Sequence, residues 1–425
     1  MKNQNLNSKK VIQYDNGLRV IVDTIAGLKS VSSGIWVGVG SAKESPKING
    51  LSHFAEHMFF KGTDKLSPFE VADSFESLGA SVNAFTGKGA TCYYIKSIDE
   101  NFDKCFYNLT HIFFDSTFEP SELNKERKVI VEEINMVEDA PDEICFDLIS
   151  KAMYGTSALG QTILGSIDNV KRFSQKDVRD FVKKFYCASN TVISFAGAID
   201  LDTADKLVRK YVLPKICTNV SSEKEPSKLD ITRTHLERIK DFEQSNIVVS
   251  FESLEFNSPF SAIQNVLNVI AGGGMSSRLF QRVREQLGLA YSVYTGSSGH
   301  INNGSFNVIL NISPENTTKA LSAVFEELKG IKSGNITKQE VERAKIQLKS
   351  SLIFGRENVS SVMIANGRML LLANEVYDIE KRIAEIDAVT VLDTNVFANK
   401  IFTPQKMCSA YVGRKHGARF EEFAF

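Results

Sequence analysis

"SVNAFTGKGATCYYIKSI" (residues 81–98) reads as two short strands joined through a glycine turn, and "AYSVYTGSSGHINNGSFNVILNI" (residues 290–312) reads the same way in the other half of the chain. Within the second, "SFNVILNI" (305–312) alternates apolar and polar residues. That is the period-2 pattern of antiparallel strands with one face covered.

Similar elements surround both hairpins. Before the first lie the strand-like stretches "LRVIVDTIAG" (18–27) and "VSSGIWVGVGSA" (31–42) and a helical stretch around His53. After it comes "NFDKCFYNLTHIFFDSTF" (101–118), which has helical periodicity. The second hairpin is preceded by "SNIVVSFESL" (245–254) and the helical "SPFSAIQNVLNVIAGG" (258–273), and followed by "NTTKALSAVFEELKGIKSG" (316–334). Each half also closes on a helix and a strand, residues 174–199 and 390–413. The predicted fold class is α+β, with two homologous domains, each a mainly antiparallel sheet with helices packed on one face. The regular βαβ alternation of a doubly wound parallel sheet is missing.

At 425 residues the chain is long enough for two domains. The polar run "SSEKEPS" (221–227) lies between the halves. The predicted division is therefore 1–213, a linker at 214–233, and 234–425. Fifty basic and 51 acidic side chains nearly cancel, which argues against electrostatic capture of nucleic acid or an anionic membrane. The six cysteines are scattered, with no CxxC pair, and fit a reducing compartment. With a polar N-terminal stretch and no apolar run of spanning length, a cytoplasmic location is expected.

The chemistry concentrates in "GLSHFAEHMFFKGT" (50–63). Leu51 to Phe60 are good helix formers and Gly62 is placed to end the helix. On a helix, His53 and His57 are neighbours at i and i+4, about 5–6 Å apart at Cβ, so both imidazoles can reach one ion. Glu56 projects near the same face. Two neutral imidazoles that hold a metal, beside a carboxylate that takes a proton from water, suit hydrolysis. A catalytic zinc needs a third protein ligand.

That ligand is sought in "PSELNKERKVIVEEINMVEDAPDE" (120–143), which reads as one long helix. Turned at 100° per residue, it groups Leu123, Arg127, Ile130, Ile134 and Val137 on one face. Glu126 and Glu133 lie on the edge of that face, whereas Glu132 and Glu138 point elsewhere. Burying a carboxylate is costly unless something pairs with it, so both edge residues are candidates.

With these residues in place, the inverted HxxEH motif resembles that of the pitrilysin and insulinase (M16) metallopeptidases, bacterial processing-peptidase-like members included. In that family a glutamate ligand follows the second histidine by about 76 residues, which falls on Glu133, and a supporting glutamate precedes the ligand by seven, which falls on Glu126. The resemblance implies one zinc ion per chain on His53, His57 and Glu133. Glu56 is then the general base and Glu126 orients the site.

The resemblance also implies that the strand carrying Asn83 and Ala84 takes peptide substrate as an added strand. Gly89 stands where the family usually has an acidic residue. In "SSRLFQRVREQLGLAYSVYTG" (276–296), Arg284 and Tyr291 have the spacing of the family's substrate-contacting pair, with Arg282 as the alternative arginine. The tyrosine hydroxyl is the expected oxyanion donor.

Larger members enclose a chamber with four such units, so this two-unit chain is expected to act on short or unfolded peptides as a homodimer, with a heterodimer as the alternative. No nucleic acid or membrane partner is implied. A noncatalytic subunit is the competing reading, opposed by the intact motif. The metal-dependent S-ribosylhomocysteine lyases share an HxxEH site but are short, single-unit chains with a cysteine as third ligand.

Overall fold

The computed structural model describes residues 8–218 and 227–423. Most of the "SSEKEPS" run lies outside them. The first sheet contains β1 (Ser8–Gln13), β2 (Arg19–Thr24), β3 (Ser30–Val37), β4 (Ser81–Thr86), β5 (Thr91–Ile98) and β6 (Thr191–Gly197). Its order is β1-β2-β6-β3-β5-β4, and β2 with β6 is the parallel pair in it. The second sheet contains β7 (Thr234–Ile239), β8 (Ser245–Glu252), β9 (Ala290–His300), β10 (Asn303–Ile312) and β11 (Met407–Gly413). Its order is β7-β11-β8-β10-β9, with β7 and β11 parallel.

Reading β2-β6-β3-β5-β4 against β7-β11-β8-β10-β9 matches every strand, including the place of the parallel pair. The duplication expected from the sequence is thus a repeated strand topology. In both sheets one strand of the quoted hairpin is the edge: β4 in the first and β9 in the second.

Strand alternation divides the first unit into two packing faces. Val20, Val22, Ile35, Tyr93, Ile95 and Phe195 join the large core beneath helices Leu51–Met58, Phe102–Asp115, Gln175–Phe185 and Leu201–Tyr211. Ile21, Trp36, Cys92, Val192 and Ala196 point the other way, against Val362, Met363 and Leu370 of helix Val359–Ala373. Every residue of β6 is buried, as a central strand covered on both sides requires.

The second unit repeats this plan. Ile247, Val249 and Phe251 of β8 pack with Val266, Leu267, Val324 and Leu328. On the opposite face, helix Pro141–Tyr154 lies against β8 and β11. There the Cys145 thiol donates to the Asn246 and Ala410 carbonyls at 3.4 and 3.6 Å.

Each sheet therefore carries the expected helix layer on one face and one further helix on the other. The compact units are 8–134, 162–218 and 354–377 for the first, and 135–161, 227–353 and 378–423 for the second. They differ from the stretches 1–213 and 234–425 because each takes a helix from the other half of the chain. The stretch 120–143 is also not a single helix. It ends at Glu138 and a new helix starts at Pro141, which suits N1 because its missing N–H would be unpaired there anyway.

Helix Val359–Ala373 approaches its sheet through glycine. A Cβ on Gly34 would stand 2.5 Å from the Met363 sulfur, and one on Gly367 would collide with the Trp36 indole nitrogen. Gly367→Ala gains about 1 kcal/mol of helix propensity, but overpacking costs roughly 1–3 kcal/mol. Net destabilisation is expected in denaturant unfolding, and a more stable variant would contradict this packing.

Candidate metal centre

Helix Leu51–Met58 buries all its residues except His57, which is partly open. The apolar members Leu51, Phe54, Ala55 and Met58 anchor it in the first core. This leaves His53 and His57 side by side, with Nε2 atoms 3.2 Å apart. Glu133, on helix Pro120–Glu138, brings Oε2 to 3.7 Å from each of those nitrogens. Of the two glutamates on the helix edge, it is Glu133 that faces both rings.

The donor set fits zinc. Ligand atoms bonded at about 2.0–2.2 Å to one tetrahedral ion stand roughly 3.3–3.6 Å apart, close to this triangle. Glu133 Oε2 is buried and, among the described residues, has no hydrogen-bond donor, a costly condition that a cation at the centre of the triangle would relieve. Burial, with His57 close by, pushes the His53 imidazole down to about 3, so the ring is neutral with a lone pair to give. Among the described residues this is the sole group of three side chains placed to hold a metal.

His57 is oriented from behind. Its Nδ1 meets Glu126 Oε1 at 2.7 Å, which places the proton on Nδ1 and leaves Nε2 free to bind. Glu126 is buried and also pairs with Lys61 Nζ at 2.7 Å. Burial alone pushes the Glu126 carboxyl up, but the bonds from His57 and Lys61 outweigh it and hold the group below its ordinary range. Lys61 was not among the residues singled out from the sequence. No pattern marks it, since the helix that carries His57 ends at Met58 and Lys61 lies beyond it.

Glu56 is buried beside the triangle and is not part of it. Burial pushes its carboxyl above the ordinary range, opposed by the hydroxyl of Thr86, which donates to Oε2 at 2.5 Å. Thr86 is the last residue of edge strand β4, and it too escaped the sequence reading. It ties the acid to the strand that carries Asn83 and Ala84.

Those two residues pair with Tyr94 and Tyr93 of β5. The Ala84 N–H, directed off the free edge, is bonded to Asn83 Oδ1 at 2.8 Å. Gly89 lies in the β4–β5 turn, where Gly87 N–H reaches the Ala90 carbonyl, so the hairpin closes without an acidic residue.

Arg284 and Tyr291 belong to the second unit. The Arg284 guanidinium lies 4.8 Å from the Phe280 ring centroid and 6.0 Å from that of Tyr291. Arg282 faces Glu326 instead, at 3.6 Å. Both arginines lie on a wide π-helical segment, Phe280–Gln286, a form that recurs at functional positions. Tyr291 is the second residue of edge strand β9 and is 75% exposed.

Comparison with known proteins is consistent across the chain. Residues 19–167 match the model of the insulinase family, peptidase family M16, and residues 172–348 match that of the peptidase M16 inactive domain. The chain is 39% identical over 391 residues to the zinc protease YmxG of Bacillus subtilis, covering 91% of this chain and 94% of that protein. A zinc protease of Streptomyces coelicolor is 32% identical, covering 91% and 85% respectively. A protease from Helicobacter pylori of known crystal structure superposes with a TM-score of 0.89 at 21% identity, covering 96% of this chain and all of that one.

Proposed function

The chain belongs to the insulinase family of peptidases, M16, and from that premise we propose that it is a zinc-dependent endopeptidase acting on short or unfolded peptides. The observation that carries this reading is the triangle of His53, His57 and Glu133, with Glu56 beside it and bonded to an edge strand. Zinc, when bound, supplies Lewis acidity that polarises a carbonyl and acidifies water.

The rest is the work of the chain. His53 and His57 offer neutral nitrogens, and Glu133 offers the compensating negative charge. Edge strand β4 holds the peptide main chain as an added strand, with Asn83 Oδ1 giving up the Ala84 N–H to it. Glu56 accepts a proton from the attacking water and passes it to the leaving amine nitrogen. Its raised affinity for a proton suits the first half of that transfer. Glu126 holds the His57 tautomer, and Lys61 holds Glu126. Substrate contact by Arg284, and oxyanion stabilisation by the Tyr291 hydroxyl, complete the proposal.

Two units per chain, with the metal set and the arginine and tyrosine on the same polypeptide, support a homodimer that encloses its substrates. The six cysteines are unpaired, which suits a reducing cytoplasm, and among the described residues no helix is long and apolar enough to cross a membrane. The test combines light scattering at micromolar protein with competition between an unstructured peptide and a compact folded protein. A dimer that cleaves only the peptide is expected. A monomer, or equal cleavage of the folded protein, would contradict the enclosed site.

A further inference from the structure

Helix Leu51–Met58 starts without a capping side chain. Its N-cap is Gly50, in the left-handed region at φ +97°, and its first turn contains no acidic residue. A Cβ on Gly50 would stand 2.5 Å from the Leu164 carbonyl oxygen and 2.9 Å from the Gly165 Cα. The usual Ser, Asp or Asn cap is thereby excluded, although the first amides of a helix still need acceptors.

Glu44 supplies them from outside the helix. Its Oε2 accepts the Gly50 N–H at 2.7 Å, and its Oε1 accepts the Ser52 N–H at 2.6 Å. The Asn49 side chain donates to Oε2 at 3.1 Å and also reaches the Thr162 carbonyl at 2.9 Å. Glu44 is only 3% exposed. A buried carboxylate thus spans two amides at the positive end of the helix, where an anion is most stabilising.

The two metal-site histidines are held differently. Glu126 orients the His57 ring directly, but His53 Nδ1 is buried with no hydrogen-bond partner among the described residues. The position of the His53 ring therefore depends on the backbone of the first turn. We propose that Glu44 is a positioning residue for the metal centre: by fixing the Gly50 and Ser52 amides it sets where His53 Nε2 stands relative to His57 and Glu133. This inference rests on the zinc reading above.

Glu44→Gln tests it, because the amide keeps one acceptor and turns a donor toward the second N–H. Zn2+ affinity is measured by competition with a chromogenic chelator, alongside melting of the metal-free protein. Loss of an orienting partner weakens zinc binding by about 10–100-fold, and that is the expected result. Val208→Ala, a core truncation in the same unit on helix Leu201–Tyr211, which packs on β2 and helix Phe102–Asp115, serves as the stability control and should lower the melting temperature with zinc affinity unchanged. If Glu44→Gln binds zinc as tightly as wild type, or Val208→Ala weakens binding equally, Glu44 has no positioning role and the zinc reading survives. If wild type fails to take up zinc, or His53→Ala binds it undiminished, the zinc reading fails and this inference with it.

Discussion

Glu56→Gln should lower cleavage of an unstructured peptide by about 10²–10⁴-fold, the range set by loss of general acid–base catalysis, while one zinc per chain remains bound. The two outcomes separate because Glu56 stands beside the ligand triangle and is not one of its corners. Glutamine has the same shape and can still accept the Thr86 hydroxyl, so the local packing persists. What it cannot do is take a proton from water and return it to an amine. Steady-state rates with metal content measured on the same preparation decide the matter. Undiminished cleavage by metal-replete Glu56→Gln would remove the residue from the reaction.

Glu133→Ala should have an equally large effect by a different route. Zinc content after dialysis is expected to fall to background, and cleavage with it, because two imidazoles alone leave the ion without its third ligand and its negative charge. The fold should hardly notice. Among the described residues no donor reaches Glu133 Oε2, so truncation breaks no hydrogen bond and relieves a buried unpaired oxygen, and metal-free stability should be unchanged or higher. Removing His57 would be a poorer test, because it would also leave buried Glu126 with Lys61 as its remaining charged partner. Retained zinc in a folded Glu133→Ala protein would mean that the third ligand lies elsewhere.

Much of the centre was legible from spacing alone. Histidines four apart share a helix face, and the 100° rotation per residue of the second helix sets Glu126 and Glu133, alone among its glutamates from 126 to 138, on the edge of the apolar face. The structure separates the pair: Glu133 faces both rings and Glu126 backs one of them. The duplicated order of elements also translated into matching sheets.

Other features depend on contacts that periodicity does not encode. An apolar stripe on 359–373 or 141–154 says that the helix must be covered, but not by which sheet, so the exchange of helices between the two halves was invisible. Thr86 and Lys61 look ordinary in sequence, since their importance comes from reaching Glu56 and Glu126 across tertiary structure. Glu44 is six residues from Gly50, too far for a capping pattern, and acquires its place only when the intervening loop folds back.

The most direct test of the account is stepwise return of zinc to chelator-stripped wild-type protein while cleavage of an unstructured peptide is followed. Activity should be absent at the start, rise linearly, and stop rising at one equivalent per chain. Cleavage by the stripped protein, or zinc binding that restores none, would contradict a catalytic centre built on His53, His57 and Glu133.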